Sequence, residues 1–273
     1  MVAEAAQSST GKRYSLRQFK TLFGVSPNVT AMAWEYMLLS PDTEEKKVVL
    51  QDLLKVLHFL KCYSTETHTC QLFNCTEKTF RSKYKPALII LAGIPIICFE
   101  KRRTLQNIRH KAKISIDGTD CMIQEQSPFD SKWWSVKFNG PGIRYEVGIC
   151  ILTGHMVWVM GGFPCGRYSD LVIFREGLAD LLDEGEVVIA DGGYRGDAQI
   201  WAKGHDSAVS LTEGAVRARH ETVNSRLKKF KVLSSKFRHD LTLHPQCFYA
   251  CANLVQIAME NEEPLFQVEY DEE

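Results

Sequence analysis

The sequence predicts an α/β chain: a mixed sheet flanked by helices, preceded by a small all-helical region. Three observations predict it. Apolar residues recur at helical spacing through the first hundred positions, while short apolar runs closed by glycine, the mark of buried strands, begin only near Lys113. The charge divides at the same place: residues 1–113 hold 18 Lys/Arg against 9 Asp/Glu, and residues 114–273 hold 15 against 24, although the formal net charge is zero. A basic front before an acidic back points to a polyanion-binding module joined to a carboxylate-rich one.

At 273 residues and 45% apolar content the chain has material for one large core or two modest ones. It has no run of about 18 apolar residues, so no membrane span is expected, and Met1 to Thr10 lacks the apolar stretch of a signal peptide. The nine cysteines are odd in number and include no Cys-x-x-Cys pair, which suits free thiols in a reducing compartment. His58, Cys62, His68, Cys70 and Cys75 invite a zinc reading, but their spacing fits no standard zinc pattern.

In chain order, Leu16, Phe19, Leu22 and Phe23 predict a helix that Gly24 stops, and Ser26-Pro27 starts another with Ser as cap and Pro at the first position. Pro41 to Glu45 reads as a polar break. Val49, Leu50, Leu53, Leu54, Leu57 and Leu60 make one side of a long amphipathic helix from Lys47 to Leu60. A short helix over 65–73 and a turn at Asn74-Cys75 lead to a helix capped by Thr76. On that helix Lys78, Arg81, Ser82 and Lys85 share a face, with Phe80, Tyr84 and Leu88 opposite. A basic helix after a short turn is how a helix-turn-helix module presents a reader to DNA, so Lys78, Arg81 and Lys85 are expected DNA contacts. Pro86 and Pro95 bracket an apolar stretch, and Lys101-Arg102-Arg103 with Arg109, Lys111 and Lys113 reads as a basic linker.

The second half opens on Lys113-Ile114-Ser115-Ile116-Asp117-Gly118, a strand that carries a carboxylate to its C-terminal end. Residues 121–141 look irregular. A hairpin pairs 144–152 with 156–160 around Thr153-Gly154-His155. Ser169-Asp170 caps a helix to about Leu182. Glu186 to Ala190 is a second buried strand, ending in Asp191-Gly192-Gly193-Tyr194, and Ser207 to Leu211 reads as a short further strand. In a helix over 215–230, Arg217, Glu221, Asn224 and Lys228 share the polar face, away from Val216, Val223, Leu227 and Phe230. A last helix runs near 245–259, and the acidic tail of 261–273 is expected to be disordered.

Asp117 and Asp191 end strands, and Glu221 projects from a later helix. If the strands are neighbours, the two aspartates converge at one sheet end, where ligands of open α/β sheets collect. Crowded carboxylates need a cation or large pKa shifts. An all-oxygen set suits Mg²⁺ or Mn²⁺, and a pair of such ions serves in-line phosphoryl displacement. Arg217, Arg219 and Lys228 are placed to hold phosphates.

Ile116-Asp117-Gly118-Thr119-Asp120, Ala190-Asp191-Gly192-Gly193-Tyr194 and Arg217-Ala218-Arg219-His220-Glu221-Thr222-Val223-Asn224 together resemble the three blocks of the DDE transposases, in their PIF/Harbinger and IS5-like branch. Arg226 to Phe230, Phe237-Arg238-His239, Asn139 to Glu146 and Gly166 to Asp170 extend the resemblance over about 110–260. It implies an RNase H-like endonuclease domain with Asp117, Asp191 and Glu221 as catalytic and metal-binding residues and two Mg²⁺ or Mn²⁺ ions. It further implies a transposase that binds double-stranded DNA at terminal inverted repeats, as a homo-oligomer on DNA, with a Myb-like partner protein in the Harbinger group. The alternative is a domesticated descendant that binds DNA without transposing it. Nuclear localisation is expected for a eukaryotic host, and cytoplasmic otherwise. Asp120 is either a supporting acid or structural, Asp170 either a supporting acid or a helix cap, and His220 and His239 either orient phosphates or pack. The expected division is a helical DNA-binding region over 1–100, the basic linker over 101–113, the endonuclease domain over 114–260 and the tail over 261–273.

Overall fold

The computed structural model describes residues 1–105, 107, 109–202 and 210–268. They form two compact units: Met1–Ile96 with Arg226–Glu262, and Ile97–Ser225 with the described residues after Glu262. The division departs from the sequence-based one on the C-terminal side. Residues 226–262 read as part of the α/β domain, yet they belong to the helical unit, because their apolar faces pack on its helices.

In the helical unit, α1 (Val2–Thr10), α2 (Leu16–Phe23), α3 (Pro27–Leu38), α4 (Pro41–Glu45), α5 (Leu50–Cys62), α6 (Glu66–Phe73) and α7 (Glu77–Ala92) come first, and α10 (Lys231–Ser234) and α11 (His244–Asn261) come last. The starts follow from capping chemistry. Ser26 Oγ accepts from Val29 N at 3.0 Å, Thr65 Oγ1 from His68 N at 3.3 Å, and Thr76 Oγ1 from Thr79 N at 3.2 Å. Gly24 ends α2 at φ 85°, and a Cβ there would stand 2.6 Å from the Phe230 ring, so glycine serves both the turn and the packing. The core is built on α5, whose Leu53, Leu54, Val56, Leu57 and Leu60 are fully buried, with α7 against it and α11 packed on α7 and α3.

Three local features go beyond or against the sequence reading. The first ten residues form a helix, with Val2, Ala5 and Ala6 buried. Pro41 to Glu45 is one helical turn rather than a break. Pro86 lies inside α7: the bond lost at its ring is offset by burial of Ala87, Leu88, Ile90 and Leu91, and Asn253 on α11 donates to the Leu91 and Ala92 carbonyls at 2.9 and 3.2 Å.

The α/β unit holds β1 (Ala112–Met122), β2 (Trp134–Ser135), β3 (Gly140–Cys150), β4 (Met156–Pro164), α8 (Asp170–Glu176), β5 (Val187–Ala190) and β6 (Ile200–Ala202), followed by α9 (Ser210–Lys228). The unit boundary falls within α9, after Ser225. The sheet order is β2-β3-β1-β5-β6, with β4 on β3. β1 pairs antiparallel with β3 and parallel with β5, and β5 is parallel to β6. The mixed sheet flanked by helices is therefore observed, but the expected strand at 207–211 is not. Residues 207–209 lie outside the described residues, Ser210 onward is helical, and the edge strand is Ile200–Ala202.

β1 feeds two layers, and a register shift in its pairing with β5 between Ala112 and Ile114 lets residues two apart face opposite sides. Ile114 and Ile116 face a core with Phe174, Leu178, Val188 and Tyr194, on the α8 side. Ala112 joins Ile151, Val187, Ile189 and Val216 on the α9 side. The tail correction belongs here: Leu265 and Val268 are buried, and Val268 completes the α9-side core. Apolar residues between the acids hold the chain down as far as Val268, and residues 269–273 lie outside the described residues. The basic linker is likewise packed. Arg102 is fully buried against Glu186, with Nε 2.9 Å from Oε1 and Nη2 3.0 Å from Oε2, and Arg103 pairs with Asp183 and Glu100.

Candidate active site

The parallel ladder between β1 and β5 ends just short of the two aspartates and points both toward one place. Ser115 pairs with Ile189, and each aspartate lies two residues further along its strand, so Asp117 and Asp191 arrive side by side on one face. α9 crosses that face. Its polar side meets the strand ends, and one cleft is lined by Ser115, Asp117, Asp191, Arg217, His220 and Glu221. The three acids singled out in the sequence are thus brought into one cleft, with Arg217 beside them. Asp117 and Asp191 are half-buried and Glu221 is exposed.

Neighbouring groups hold the acids in place. Asn224, one turn beyond Glu221 on α9, donates from Nδ2 to Asp117 Oδ2 at 3.0 Å. Asp191 accepts the Gly193 N–H at 2.8 Å through Oδ1, a local turn that orients its carboxylate. Lys137, on the segment before β3, reaches the Gly118 carbonyl at 3.1 Å. Burial pushes the Asp117 carboxyl up to about 6; Asp191 and Asp170 push the same way, and Lys137 opposes them. An acid so placed is short of positive charge, which is what a cation at this end of the sheet would supply.

The donor set fits a hard divalent cation: three carboxylates, with no sulfur in the cleft lining. Asp117, Asp191 and Glu221 are the residues that would hold it. As their side chains stand, no three His, Cys, Asp or Glu among the described residues converge tightly enough to enclose an ion.

Other expected contacts lie elsewhere. Arg219 is 1% exposed, and its guanidinium donates to the carbonyls of Ile151 and Phe266, at 2.9 Å from Nε to Phe266 O. That arginine anchors the segment after α11, so it is not available to phosphate. Lys228 Nζ donates to the Leu233 carbonyl at 3.2 Å within the helical unit. His220 is buried, its Nε2 2.9 Å from Ser115 Oγ, and burial lowers its pKa to about 4. It tethers α9 to β1 as a neutral ring. His239 packs among Phe59, Tyr63 and Phe237. Asp120 is structural: its carboxylate takes Arg144 at 2.7 and 3.0 Å and Ser135 at 2.7 Å. Asp170 does not cap its helix; Ser169 Oγ does, accepting from Val172 N at 3.4 Å. On α7, Lys78, Arg81 and Lys85 are exposed on one face, with Arg81 tied to Glu66 and Glu77.

Two residues at the site escaped the sequence reading. Lys137 sits in a stretch without periodicity, and nothing local ties it to Gly118, 19 positions earlier. Asn224 was legible as a neighbour of Glu221 on one helix face, but its bond to Asp117, 107 positions away, was not.

No family model matches the chain, and no solved structure matches it. Among curated proteins it is similar to the probable transposase for insertion sequence element IS702 of Microchaete diplosiphon. The two are 24% identical over 257 residues, which cover 84% of this chain and 89% of that protein. This distant likeness along most of both chains supports a transposase family for the protein.

Proposed function

We propose that the protein is a DDE-type transposase of the PIF/Harbinger and IS5-like kind, cutting and joining DNA strands at transposon ends with Mg²⁺ or Mn²⁺. One observation carries the reading: Asp117, Asp191 and Glu221, 74 and 30 residues apart in the chain, line a single cleft at the end of paired parallel strands. The strand pattern, antiparallel on one side of β1 and parallel on the other, supports an RNase H-like reading of the sheet. The likeness to an insertion-sequence transposase points the same way.

A pair of divalent ions, when bound, supplies activation of a water or 3′-hydroxyl and stabilises the departing oxygen of an in-line displacement. The chain's own residues prepare that chemistry. Asp117 and Asp191 present oxygens from adjacent strands, and Glu221 adds a third from α9. Asn224 holds Asp117 by Oδ2. Arg217 stands beside the acids, where a guanidinium grips a phosphate oxygen. The exposed Lys78, Arg81 and Lys85 of α7 serve as a phosphate-backbone contact for double-stranded DNA.

The test is strand cleavage of duplex DNA carrying terminal inverted repeats, in Mg²⁺ and in EDTA. The reading expects nicks at the ends in Mg²⁺ only, lost in Asp117→Asn, Asp191→Asn and Glu221→Gln with DNA binding retained. Metal-independent cleavage, or full activity in any one of the three variants, contradicts it. Sequence-specific binding without cleavage by the wild-type chain favours the domesticated alternative.

A further inference from the structure

The hydrogen-bonded ladder between β1 and β5 stops at Ser115 and Ile189, so neither aspartate is fixed relative to the other by strand pairing. Something else sets their separation. On the opposite face of the sheet, the carboxylate of Asp170 fills space that side chains would otherwise occupy on both segments. A Cβ built on Gly118, the residue after Asp117, would stand 2.2 Å from Asp170 Oδ1. A Cβ on Gly193, two residues after Asp191, would stand 3.2 Å from Asp170 Oδ2 and 3.0 Å from Asp191 Oδ1. One carboxylate therefore lies in two glycine notches, one on each aspartate-bearing segment.

Asp170 is itself held. It is the first residue of α8, whose Ile173 and Phe174 are buried in the sheet's core. Arg144 on β3 comes within 3.4 Å of Asp170 Oδ1 while its other guanidinium nitrogens grip Asp120. Glycine after each aspartate, which in sequence reads as a turn signal, has a packing reason here: Gly118 lies inside an eleven-residue strand.

We propose that Asp170 is a positioning residue that locks the Asp117 and Asp191 segments to each other beyond the end of the β1–β5 ladder, by occupying the notches at Gly118 and Gly193. The proposal rests on the reading of Asp117 and Asp191 as the cation-binding pair. It assigns Asp170 no contact with metal or substrate. The role depends on the shape of the side chain, so an amide of the same size fulfils it and a methyl group does not.

The experiment compares Asp170→Ala, Asp170→Asn and the wild-type full chain by hydrogen exchange without metal and by Mn²⁺ titration followed by electron paramagnetic resonance. In Asp170→Ala, exchange rises about tenfold in the segments around 116–119 and 190–194 and stays level in the rest of the sheet. Its Mn²⁺ affinity falls about tenfold or more, the usual effect of removing a supporting group. Asp170→Asn stays within about threefold of wild type in both readings, the pattern of a steric rather than an ionic role. Unchanged exchange in either segment of Asp170→Ala overturns the proposal, as does a uniform rise across the unit, which marks ordinary loss of stability. Equal losses in Asp170→Asn and Asp170→Ala also overturn it, since they assign the effect to charge. If the wild-type chain binds no Mn²⁺, the cation reading of the aspartates fails, and the exchange pattern alone decides whether Asp170 locks the two segments.

Discussion

Asn224 and Asp117 are joined across 107 positions by a 3.0 Å hydrogen bond, so the helix that carries Glu221 also holds the first aspartate. The amide fixes the rotamer of Asp117 and stabilises its ionised form from the α9 side. Asn224→Ala removes both effects without touching the three acids. The expected result is about a tenfold rise in the Mg²⁺ concentration needed for half-maximal cleavage, with DNA affinity unchanged. Cleavage titrated against Mg²⁺ at saturating DNA checks it; an unaltered midpoint removes Asn224 from the site.

The exposed face of α7 gives a prediction about salt. Arg81 is already engaged by Glu66 and Glu77, which leaves Lys78 and Lys85 as the stronger candidates for phosphate contact. Replacing both lysines with alanine is expected to lower the slope of log affinity against log salt by about two, roughly one per lost phosphate contact. Fluorescence anisotropy on duplex DNA over a range of salt measures it. A slope equal to wild type means that α7 is a solvated face only.

His58 is buried in the helical unit beside Phe73, with no hydrogen-bond partner on either ring nitrogen among the described residues. Burial, aided by His68, lowers its pKa to about 4 from 6.5. A depressed folded-state value means the unfolded chain binds the proton first. The stability is therefore intact above about pH 6.5 and is lost progressively as the pH falls toward 4, by up to about 3 kcal/mol. His58→Phe keeps a ring in the same space and removes the proton site. Urea unfolding at about pH 7.5 and about pH 5 is expected to show a pH-dependent loss smaller by about 2 kcal/mol in the variant. Identical losses contradict the assignment.

Arg102 and Glu186 form a buried pair, both side chains at 0% exposure, with Arg102 also 3.8 Å from the Phe99 ring. Glu186→Gln removes the buried counter-charge, leaves the guanidinium only the more distant, exposed Glu100 and Asp183 at 3.6 and 3.5 Å, and is expected to cost about 2 kcal/mol in unfolding free energy. By contrast, Arg103→Ala removes an exposed, solvent-screened pair and costs far less than Glu186→Gln. Equal effects of the two substitutions contradict this account.

Much of the site was legible because its signals are local. An acid on each of two strand segments and an acid on the polar face of a helix can each be read within a dozen residues, although Asp117, expected to end its strand, instead lies inside β1, which continues on β3 to Met122. Their convergence followed from one assumption, that the strands are neighbours, and the β1–β5 ladder bears it out. What escaped the sequence depends on distant packing. Arg102 and Arg219 look like surface cations until Glu186 and the Ile151 and Phe266 carbonyls are brought to them. The tail reads as an acidic solvated end because the count of acids hides Leu265 and Val268, which are the residues that pack. Gly118 reads as a turn because the residue that needs its missing side chain, Asp170, is 52 positions away.

The central claim is that Asp117, Asp191 and Glu221 grip a divalent cation together, and anomalous diffraction from crystals of the full chain soaked in Mn²⁺ tests it most directly. The account predicts a Mn²⁺ peak in the cleft at about 2.2 Å from carboxylate oxygens of all three residues. A peak bound elsewhere on the chain, with the three carboxylates unengaged, would contradict it.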